Sequence, residues 1–265
     1  MPAMNDANAV EKQYASADGL KVRLMLHQKY SVNRKPYGDW IAEQYRIEPG
    51  MKVLELGCGT AVLWKEPERW LPEGASLLLT DLSEGMLNAA RETVPERGNI
   101  DFEQVDIQKI PYADECFDLV IANAMLYHVP DLARALDEVA RVLKKSGRFI
   151  CATSGNNSIA SWLVDVLGEG DARVLSFSLQ NGGEKLSRHF GRVEMHERQD
   201  ALEVTDTVDL VRYVQSMTSF AYVRNWPEER LYALLEAQKK NGTILIPKEY
   251  GLFQCCEPNV TKIFD

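Results

Sequence analysis

The residues best suited to chemistry lie in a glycine turn within VLELGCGTAVL, residues 53–63. The apolar run VLEL is typical of a buried strand, and it stops at Gly57-Cys58-Gly59. Glycine at the carboxyl end of a parallel strand lets the backbone approach a ligand closely, because no Cβ obstructs the contact. The residues after the turn predict the beginning of a helix, so the stretch indicates a site for a nucleotide cofactor.

The spacing after the turn separates two types of cofactor. A dinucleotide fingerprint has the pattern Gly-x-Gly-x-x-Gly/Ala, but Val62 occupies its last position and the small residue Ala61 comes one place early. The pattern Glu/Asp-x-Gly-x-Gly-x-Gly fits instead, beginning at Glu55 and ending at Ala61. A nicotinamide-dependent oxidoreductase is therefore the weaker interpretation, although it stays open as an alternative.

Apolar runs alternate with helical patterns through the middle of the chain, which predicts a parallel sheet with helices on both faces. A helix is expected after Ser83, a favourable N-terminal capping residue. Another is expected to begin at Pro130 and to stop at Gly147. The predicted strands cover residues 52–56, 76–80, 100–105, 117–123 and 148–153.

The alternation is less regular on either side of this middle part. Residues 20–45 are predicted to be helical, with interruptions at Pro36 and Gly38. We predict an N-terminal helical cap over residues 1–45 and a main domain over residues 46–265. The main domain is predicted to contain a helical insertion at about 206–240. We expect this insertion to be a lid, because insertions on a rigid scaffold commonly carry specificity. Further helices are predicted over 156–167, 206–217 and 227–240, the last capped by Asn225. A strand or hairpin arm is predicted over 192–204, and a strand over 242–255.

The composition narrows the class of protein. With 265 residues and 45% hydrophobic residues, the chain is long enough for one large domain. A net charge of −9 makes general nucleic-acid binding a poor expectation. No leader and no apolar stretch of about 18 residues is found, so a cytoplasmic protein that does not span a membrane is expected. The five cysteines lack ligand-pair spacing and predict reduced thiols without a metal.

The glycine turn is the first of an ordered series of motifs. ELGCGTA at 55–61 is followed by TDLSEGML at 80–87, VDIQKIPYADECFDLVIAN at 105–123 and LYHVPDLARALDEVARVLKKSGRF at 126–149. The series resembles the class I S-adenosylmethionine-dependent methyltransferases, in particular the type 11 group with the ubiquinone and menaquinone biosynthesis enzymes. This resemblance covers about residues 50 to 155. It implies a Rossmann-like, doubly wound, mostly parallel seven-stranded sheet, S-adenosylmethionine as cofactor, and a monomer or homodimer.

The resemblance also implies roles for single residues. Asp81 would accept hydrogen bonds from both ribose hydroxyls, and Met86 would flank the adenine. Asp106 would meet the adenine amino group and the amide of Ile107 a ring nitrogen. Asn123 would line the cleft beside the methionine part. Including the residues of the turn and the N-terminal cap, the predicted cofactor-binding set is Tyr30, Glu55, Gly57, Cys58, Gly59, Asp81, Leu82, Met86, Asp106, Ile107 and Asn123.

Two members of this set carry separate arguments. Glu55 is expected to orient the cofactor's ammonium group, although a satisfied carboxylate at the edge of the core is the alternative. Tyr30, within HQKYSVNRKPYGDW at 27–40, is expected to close over the cofactor, as an aromatic residue does in similar small bacterial methyltransferases.

The acceptor is expected to be a small molecule, because no motif for methylation of nucleic-acid bases is found. His128 follows the fourth strand and is the candidate catalytic residue. Histidine has an ordinary pKa of about 6.5, which suits a general base for an acidic hydroxyl or an enol. A structural role or a cofactor contact for His128 remains open. Because Ala61 replaces a glycine of the pattern, a non-catalytic S-adenosylmethionine-binding or regulatory protein is a further alternative.

Overall fold

The computed structural model describes residues 17–168 and 175–259. The strands are β1 (Lys52–Leu56), β2 (Ser76–Asp81), β3 (Ile100–Gln104), β4 (Phe117–Asn123), β5 (Leu143–Ser154), β6 (Phe190–Arg198), β7 (Ala201–Val204), β8 (Ile244–Pro247) and β9 (Tyr250–Pro258). The α-helices are α1 (Ala17–Tyr30), α2 (Tyr37–Ala42), α3 (Glu84–Thr93), α4 (Leu132–Val142), α5 (Ile159–Leu167), α6 (Leu179–Leu186), α7 (Thr207–Ser216) and α8 (Glu228–Glu236). Residues 1–16 of the predicted cap lie outside the described residues.

Seven strands form one sheet in the order β3-β2-β1-β4-β5-β9-β6. The pairs from β3 to β5 are parallel, and β9 is antiparallel to both β5 and β6. This topology confirms the predicted doubly wound, mostly parallel sheet. The carboxyl ends of β1, β2, β4 and β5 meet at one edge. The carboxyl end of β6 lies at the same edge, because a strand antiparallel to β9 is parallel to β5.

Both faces of the sheet are buried under helices, as the sequence predicts. Alternate residues of a strand point to opposite faces. On β4, Val120 belongs to a core shared with α4 and α6, whereas Leu119 belongs to a core shared with α2 and α3. The main sheet is therefore covered on both sides, and its carboxyl edge is where ligands of such sheets bind.

The backbone is left-handed at Ala61, with φ 51° and ψ 32°. Ala61 therefore cannot be part of an α-helix, which needs right-handed backbone angles. No α-helix lies in the described residues between β1 and β2, so the expectation of one after the glycine turn is wrong. Two single-turn 3-10 helices, Val62–Trp64 and Pro67–Arg69, lead to β2 instead. The Ala61 side chain is buried in the core beside Trp64. Ala61 thus adopts the conformation that glycine favours, at a steric cost of about 1–2 kcal/mol.

The predicted stop at Gly147 is also wrong. The helix α4 is followed directly by β5, which begins before the predicted residue 148. The pairing of β4 with β5 shifts register between Phe117 and Leu119. A Cβ atom at Gly147 would lie 2.8 Å from Leu143 Cδ1 and 2.9 Å from the Lys144 carbonyl oxygen. Gly147 therefore permits a tight irregularity within the strand.

The segment between β6 and β9 contains a second sheet as well as helices. β7 pairs antiparallel with β8 to form this two-stranded sheet. The stretch 242–255, predicted as one strand, is therefore divided into β8 and β9, and the stretch 192–204 into β6 and β7. The helix α8 begins at Glu228 after Pro227, so Asn225 is not its cap. Asn225 ends a 3-10 helix, Thr218–Asn225.

The cap helix α1 and the segment between β6 and β9 share one hydrophobic core. This third core joins Leu26 and Tyr30 of α1 to Leu163 of α5 and to Leu210 and Val214 of α7, and it includes residues of β7, α8 and β8. Because β6 ends and α5 begins at the carboxyl edge of the main sheet, this unit lies at that edge. Within residues 17–168 and 175–259, no helix combines the length and the apolarity that crossing a bilayer requires.

The conformation of Ala61 generates a stability prediction. We expect Ala61→Gly to change the free energy of unfolding by less than about 1 kcal/mol, because relief of the left-handed strain offsets the lost burial of a methyl group. Ala61→Val is the matched comparison, and its branched side chain should cost about 2 kcal/mol or more. Urea denaturation measures both. A loss of about 2 kcal/mol in Ala61→Gly would contradict the left-handed conformation.

Candidate active site

The glycine turn after β1 is fastened to the end of β2. The amide of Cys58 donates to the Thr80 carbonyl oxygen over 2.8 Å. The amide of Gly59 donates to Asp81 Oδ2 over 2.9 Å, and the amide of Ser83 donates to Asp81 Oδ1 over 2.9 Å. A carboxylate has about four acceptor positions, so Asp81 can still accept hydrogen bonds from a ligand. The Cys58 amide, in contrast, is already used within the protein.

Left-handed backbone occurs several times in and beside this turn. Gly57 has φ 69° and Gly59 has φ 57°. Ala61 follows in the same conformation, and Ala124, directly after β4, has φ 51°. A Cβ atom at Gly57 would meet Met125 Cγ at 2.9 Å. The chain is therefore closely packed where β1 and β4 end, and conformations of this kind commonly occur at functional sites.

Glu55 is a buried carboxyl group with two side-chain donors. Trp64 Nε1 donates to Glu55 Oε2, and Asn123 Nδ2 donates to Glu55 Oε1 over 3.1 Å. Asn123 Nδ2 is also 2.6 Å from the Tyr45 hydroxyl oxygen, which accepts from it. Burial raises the pKa of Glu55 to about 7, against the opposing effect of these hydrogen bonds. Glu55 can therefore change its charge near neutral pH.

Asn123 supplies the direct indication that a ligand fits here. Its amide oxygen Oδ1 is buried and has no hydrogen-bond partner within the described part of the chain. An unmade hydrogen bond at a buried polar atom costs about 1–3 kcal/mol. Oδ1 belongs to the same amide group whose nitrogen donates a hydrogen bond to Glu55. Asn123 and Glu55 therefore offer adjacent acceptor oxygens. An ammonium group, such as the one that S-adenosylmethionine carries, is a hydrogen-bond donor that fits these acceptors.

The residues predicted to meet the adenine lie beyond the end of β2. Leu82 is 55% exposed, although it is a large apolar residue. Met86 is half-buried at the beginning of α3. Asp106 accepts from the amide of Gln108 over 2.9 Å and so forms a turn. The side chain of Ile107 is buried in the core. The turn is brought beside β2 by a hydrogen bond from the amide at 105 to the Asp81 carbonyl oxygen over 3.2 Å.

Two predicted residues lie outside this group. Tyr30 is buried in the third core, and its hydroxyl donates to Asp209 Oδ2 over 2.8 Å. His128 ends the 3-10 helix Leu126–His128 after β4, with its ring 4.5 Å from that of Tyr127. Closure of Tyr30 over a cofactor and catalysis by His128 both remain predictions.

Three residues of the site were missed in the sequence. Tyr45 and Trp64 stack with ring centroids 6.1 Å apart, and each contacts the Glu55–Asn123 pair. The hydroxyl of Thr80 donates to the Glu55 carbonyl oxygen over 2.8 Å. The only sequence signal was Trp64 itself, a large aromatic residue in a segment otherwise predicted to be an ordinary helix. The contacts of Tyr45 and Thr80 are long-range and left no local pattern.

The middle of the chain is similar in sequence to known methyltransferases. Residues 54–151 match the family model described as a methyltransferase domain. Methyltransferase GfsG of Streptomyces halstedii is 34% identical over 115 residues, covering 42% of this chain and 40% of that protein. The ubiquinone/menaquinone biosynthesis C-methyltransferase UbiE of Vibrio vulnificus is 33% identical over 105 residues, covering 38% of this chain and 40% of that protein. The chain thus spans about two fifths of the length of these curated relatives.

The fold is also similar to solved structures. A protein of Bacillus halodurans C-125, assigned as a methyltransferase, superposes with a TM-score of 0.58 and 16% identity, covering 84% of this chain and 99% of that chain. A likeness at this identity shows the fold alone. The sequence matches and the fold together confirm the predicted resemblance. Residues 54–151 therefore match a methyltransferase domain in sequence, and the chain has a Rossmann-like α/β fold shared with solved methyltransferases.

Proposed function

We propose that this protein transfers a methyl group from S-adenosylmethionine to a small-molecule acceptor. The observation that carries the proposal is the pair of open acceptors on either side of the glycine turn. Asp81 keeps acceptor positions free at the end of β2, and Asn123 Oδ1 is buried without a partner at the end of β4. The cofactor's ribose hydroxyls and its ammonium group are donors that suit these two positions.

The remaining predicted residues complete the cofactor site in this proposal. Gly57 and Gly59 allow close approach of the backbone. Leu82 and Met86 flank the adenine, and Leu82 is an exposed apolar side chain with no large packing role of its own. Asp106 and the amide of Ile107 meet the adenine edge, while Glu55 acts with Asn123 toward the ammonium group.

The protein's part in the reaction follows from the chemistry of the cofactor. The sulfonium group of S-adenosylmethionine makes its methyl group electrophilic without further activation. The protein therefore has to position the acceptor, exclude water and, where the acceptor is an acidic hydroxyl or an enol, remove its proton. His128 is the candidate base, because it lies in the turn after β4, five residues beyond Asn123.

The acceptor in this proposal is a small molecule, and the location is the cytoplasm. A cytoplasmic location agrees with the five free cysteines, since disulfides are rare in a reducing compartment. We propose a monomer or a homodimer.

Asp81 provides the direct test of the cofactor site. We expect Asp81→Ala to weaken binding of S-adenosylhomocysteine by about 1.5–3 kcal/mol, or about 10- to 150-fold, because hydrogen bonds to a charged acceptor are lost. Titration calorimetry measures the affinity. Asp101→Ala, at an exposed position on the neighbouring β3, is the matched control and should bind normally. Unchanged affinity in a folded Asp81→Ala protein would remove Asp81 from the site.

Glu55 provides a pH test. The raised pKa of about 7 means that the carboxyl is mostly protonated below pH 7, whereas pairing with an ammonium group needs the ionised form. S-adenosylhomocysteine affinity should therefore fall by up to about tenfold per pH unit below 7 and level off above it. Glu55→Gln should bind more weakly at high pH and lose this dependence. A flat affinity profile in the wild-type protein across the same range would exclude the pairing.

The cap and the segment of residues 206–240 are proposed as the cover over the acceptor. They share the third core, so replacing the segment would expose Leu26 and Tyr30, and a binding experiment on the intact chain is the better test. S-adenosylhomocysteine should slow amide hydrogen exchange across 206–240, because covers of this kind gain order with ligand. Exchange in α4, on a face of the main sheet, is the internal control. Equal exchange in 206–240 with and without ligand would argue against a lid.

A further inference from the structure

A second group of charged residues is buried at the carboxyl edge of the sheet, beyond the proposed cofactor site. Arg198 ends β6 and Lys248 precedes β9, and each is only 4% exposed. Both contact the carboxylate of Asp200: Arg198 through Nη1, and Lys248 through Nζ, 2.6 Å from Oδ2. Fully buried arginine and lysine are uncommon unless they are paired. We call these three residues the edge cluster.

The edge cluster has one positive charge more than it has negative charges. The other oxygen of Asp200, Oδ1, accepts from the amides of Asn33 and Ala201, over 3.1 and 2.9 Å. The remaining hydrogen bonds of the two cations within the described residues go to neutral oxygens, the Lys35 carbonyl and the Ser31 hydroxyl. A buried charge without a counterion costs several kcal/mol. A purely structural pair would need one cation.

The nearby histidine does not change this balance. Burial and the charge of Lys248 lower the pKa of His27 to about 4, so its ring is neutral at pH 7. Its Nδ1 atom is buried without a partner in the described ranges. His27 therefore adds no charge to the edge cluster, positive or negative.

Hydrogen-bond donors around the edge cluster are also unused. Arg198 Nε is buried and has no partner among the described residues. Tyr37 and Tyr250 lie beside it, with ring centroids 5.0 Å apart. The guanidinium carbon of Arg198 is 5.7 Å from the Tyr37 ring, and Lys248 Nζ is 5.5 Å from the Tyr250 ring. Neither tyrosine hydroxyl makes a hydrogen bond within residues 17–168 and 175–259. Two tyrosine rings and an unused guanidinium donor thus lie around the excess charge.

We propose that the methyl acceptor carries an oxyanion, a carboxylate or a phosphate, which binds Arg198 and Lys248 with the hydroxyls of Tyr37 and Tyr250 as further donors. An oxyanion supplies the missing counter-charge and the missing acceptors together, and the fork of arginine suits both groups. Asp200 keeps the two cations in place. The edge cluster lies at the same sheet edge as Asn123, so a molecule bound there would be close to the proposed cofactor site. Its identification as the methyl acceptor rests on the proposed function.

The connection between α1 and α2 closes the edge cluster. The carbonyl of Lys35 accepts from Arg198 Nη2, and the amide of Asn33 donates to Asp200. Both contacts are made by the backbone of residues 31–36, a short segment that includes the exposed side chain of Val32. Residues 31–36 are also paired to β7 by a hydrogen bond from the Val32 amide to the Ala201 carbonyl oxygen over 2.9 Å. This segment therefore forms one wall of the proposed anion site.

The test measures anion binding and cofactor binding separately on the full chain. Inorganic phosphate and acetate are titrated at constant ionic strength, with chloride as the reference, and the thermal unfolding midpoint is followed. One of the two anions should raise the midpoint saturably, and Arg198→Gln should weaken that binding at least tenfold while S-adenosylhomocysteine affinity stays unchanged. Arg188→Gln is the matched control and should behave like the wild type, because this side chain is 69% exposed and precedes β6, at the opposite edge of the sheet from Arg198.

Two conservative variants cover the case in which Arg198→Gln does not fold. Tyr37→Phe and Tyr250→Phe remove only a hydroxyl each, and each should weaken anion binding several-fold. A response to phosphate alone would identify a phosphorylated acceptor, and a response to acetate alone a carboxylic acid. Absence of any specific anion effect in the wild type, or equal binding in Arg198→Gln and both tyrosine variants, would overturn the proposal. Failure of the wild type to bind S-adenosylhomocysteine would instead overturn the proposed function.

Discussion

The attachment of the β1 turn to the end of β2 is the interaction on which the rest of the site depends. Two backbone amides of the turn, at Cys58 and Gly59, donate to the Thr80 carbonyl and to the Asp81 carboxylate. These bonds fix Asp81 beside the turn before any ligand arrives, and the Thr80 hydroxyl returns a bond to the backbone of Glu55. A preorganised acceptor of this kind costs little further ordering when a ligand binds.

The buried Glu55 connects this turn to the rest of the carboxyl edge. Its carboxyl group holds the Asn123 amide, and the same amide reaches Tyr45 in the segment after α2. The helix α2 also contributes Tyr37, whose ring contacts Tyr250 next to the edge cluster. Thus α2 and the residues after it contact both the proposed cofactor site and the proposed anion site. The two proposed sites therefore lie at one edge of the sheet, as binding of two reactants would require.

The sequence predicted those parts of the fold that local patterns specify. The glycine turn, Asp81 after β2, Ser83 before α3 and the helix stripe of α4 all have signals within a few residues, and each element was found. The left-handed Ala61, the division of 242–255 into β8 and β9, and the early beginning of β5 depend on packing and strand pairing with distant residues. Arg198 and Lys248 are 50 positions apart in the chain, so no window of sequence brings them together.

The most direct test of the central claim is a calorimetric comparison of S-adenosylhomocysteine with NAD on the wild-type protein. The proposed site at the carboxyl ends of β1, β2 and β4 binds one nucleoside with an ammonium-bearing tail, and the spacing of the residues after Gly57-Cys58-Gly59 disfavours a dinucleotide. We predict saturable binding of S-adenosylhomocysteine with an affinity at least about tenfold above that of NAD, a difference of about 1.4 kcal/mol. Tighter binding of NAD, or no binding of S-adenosylhomocysteine, would contradict the account.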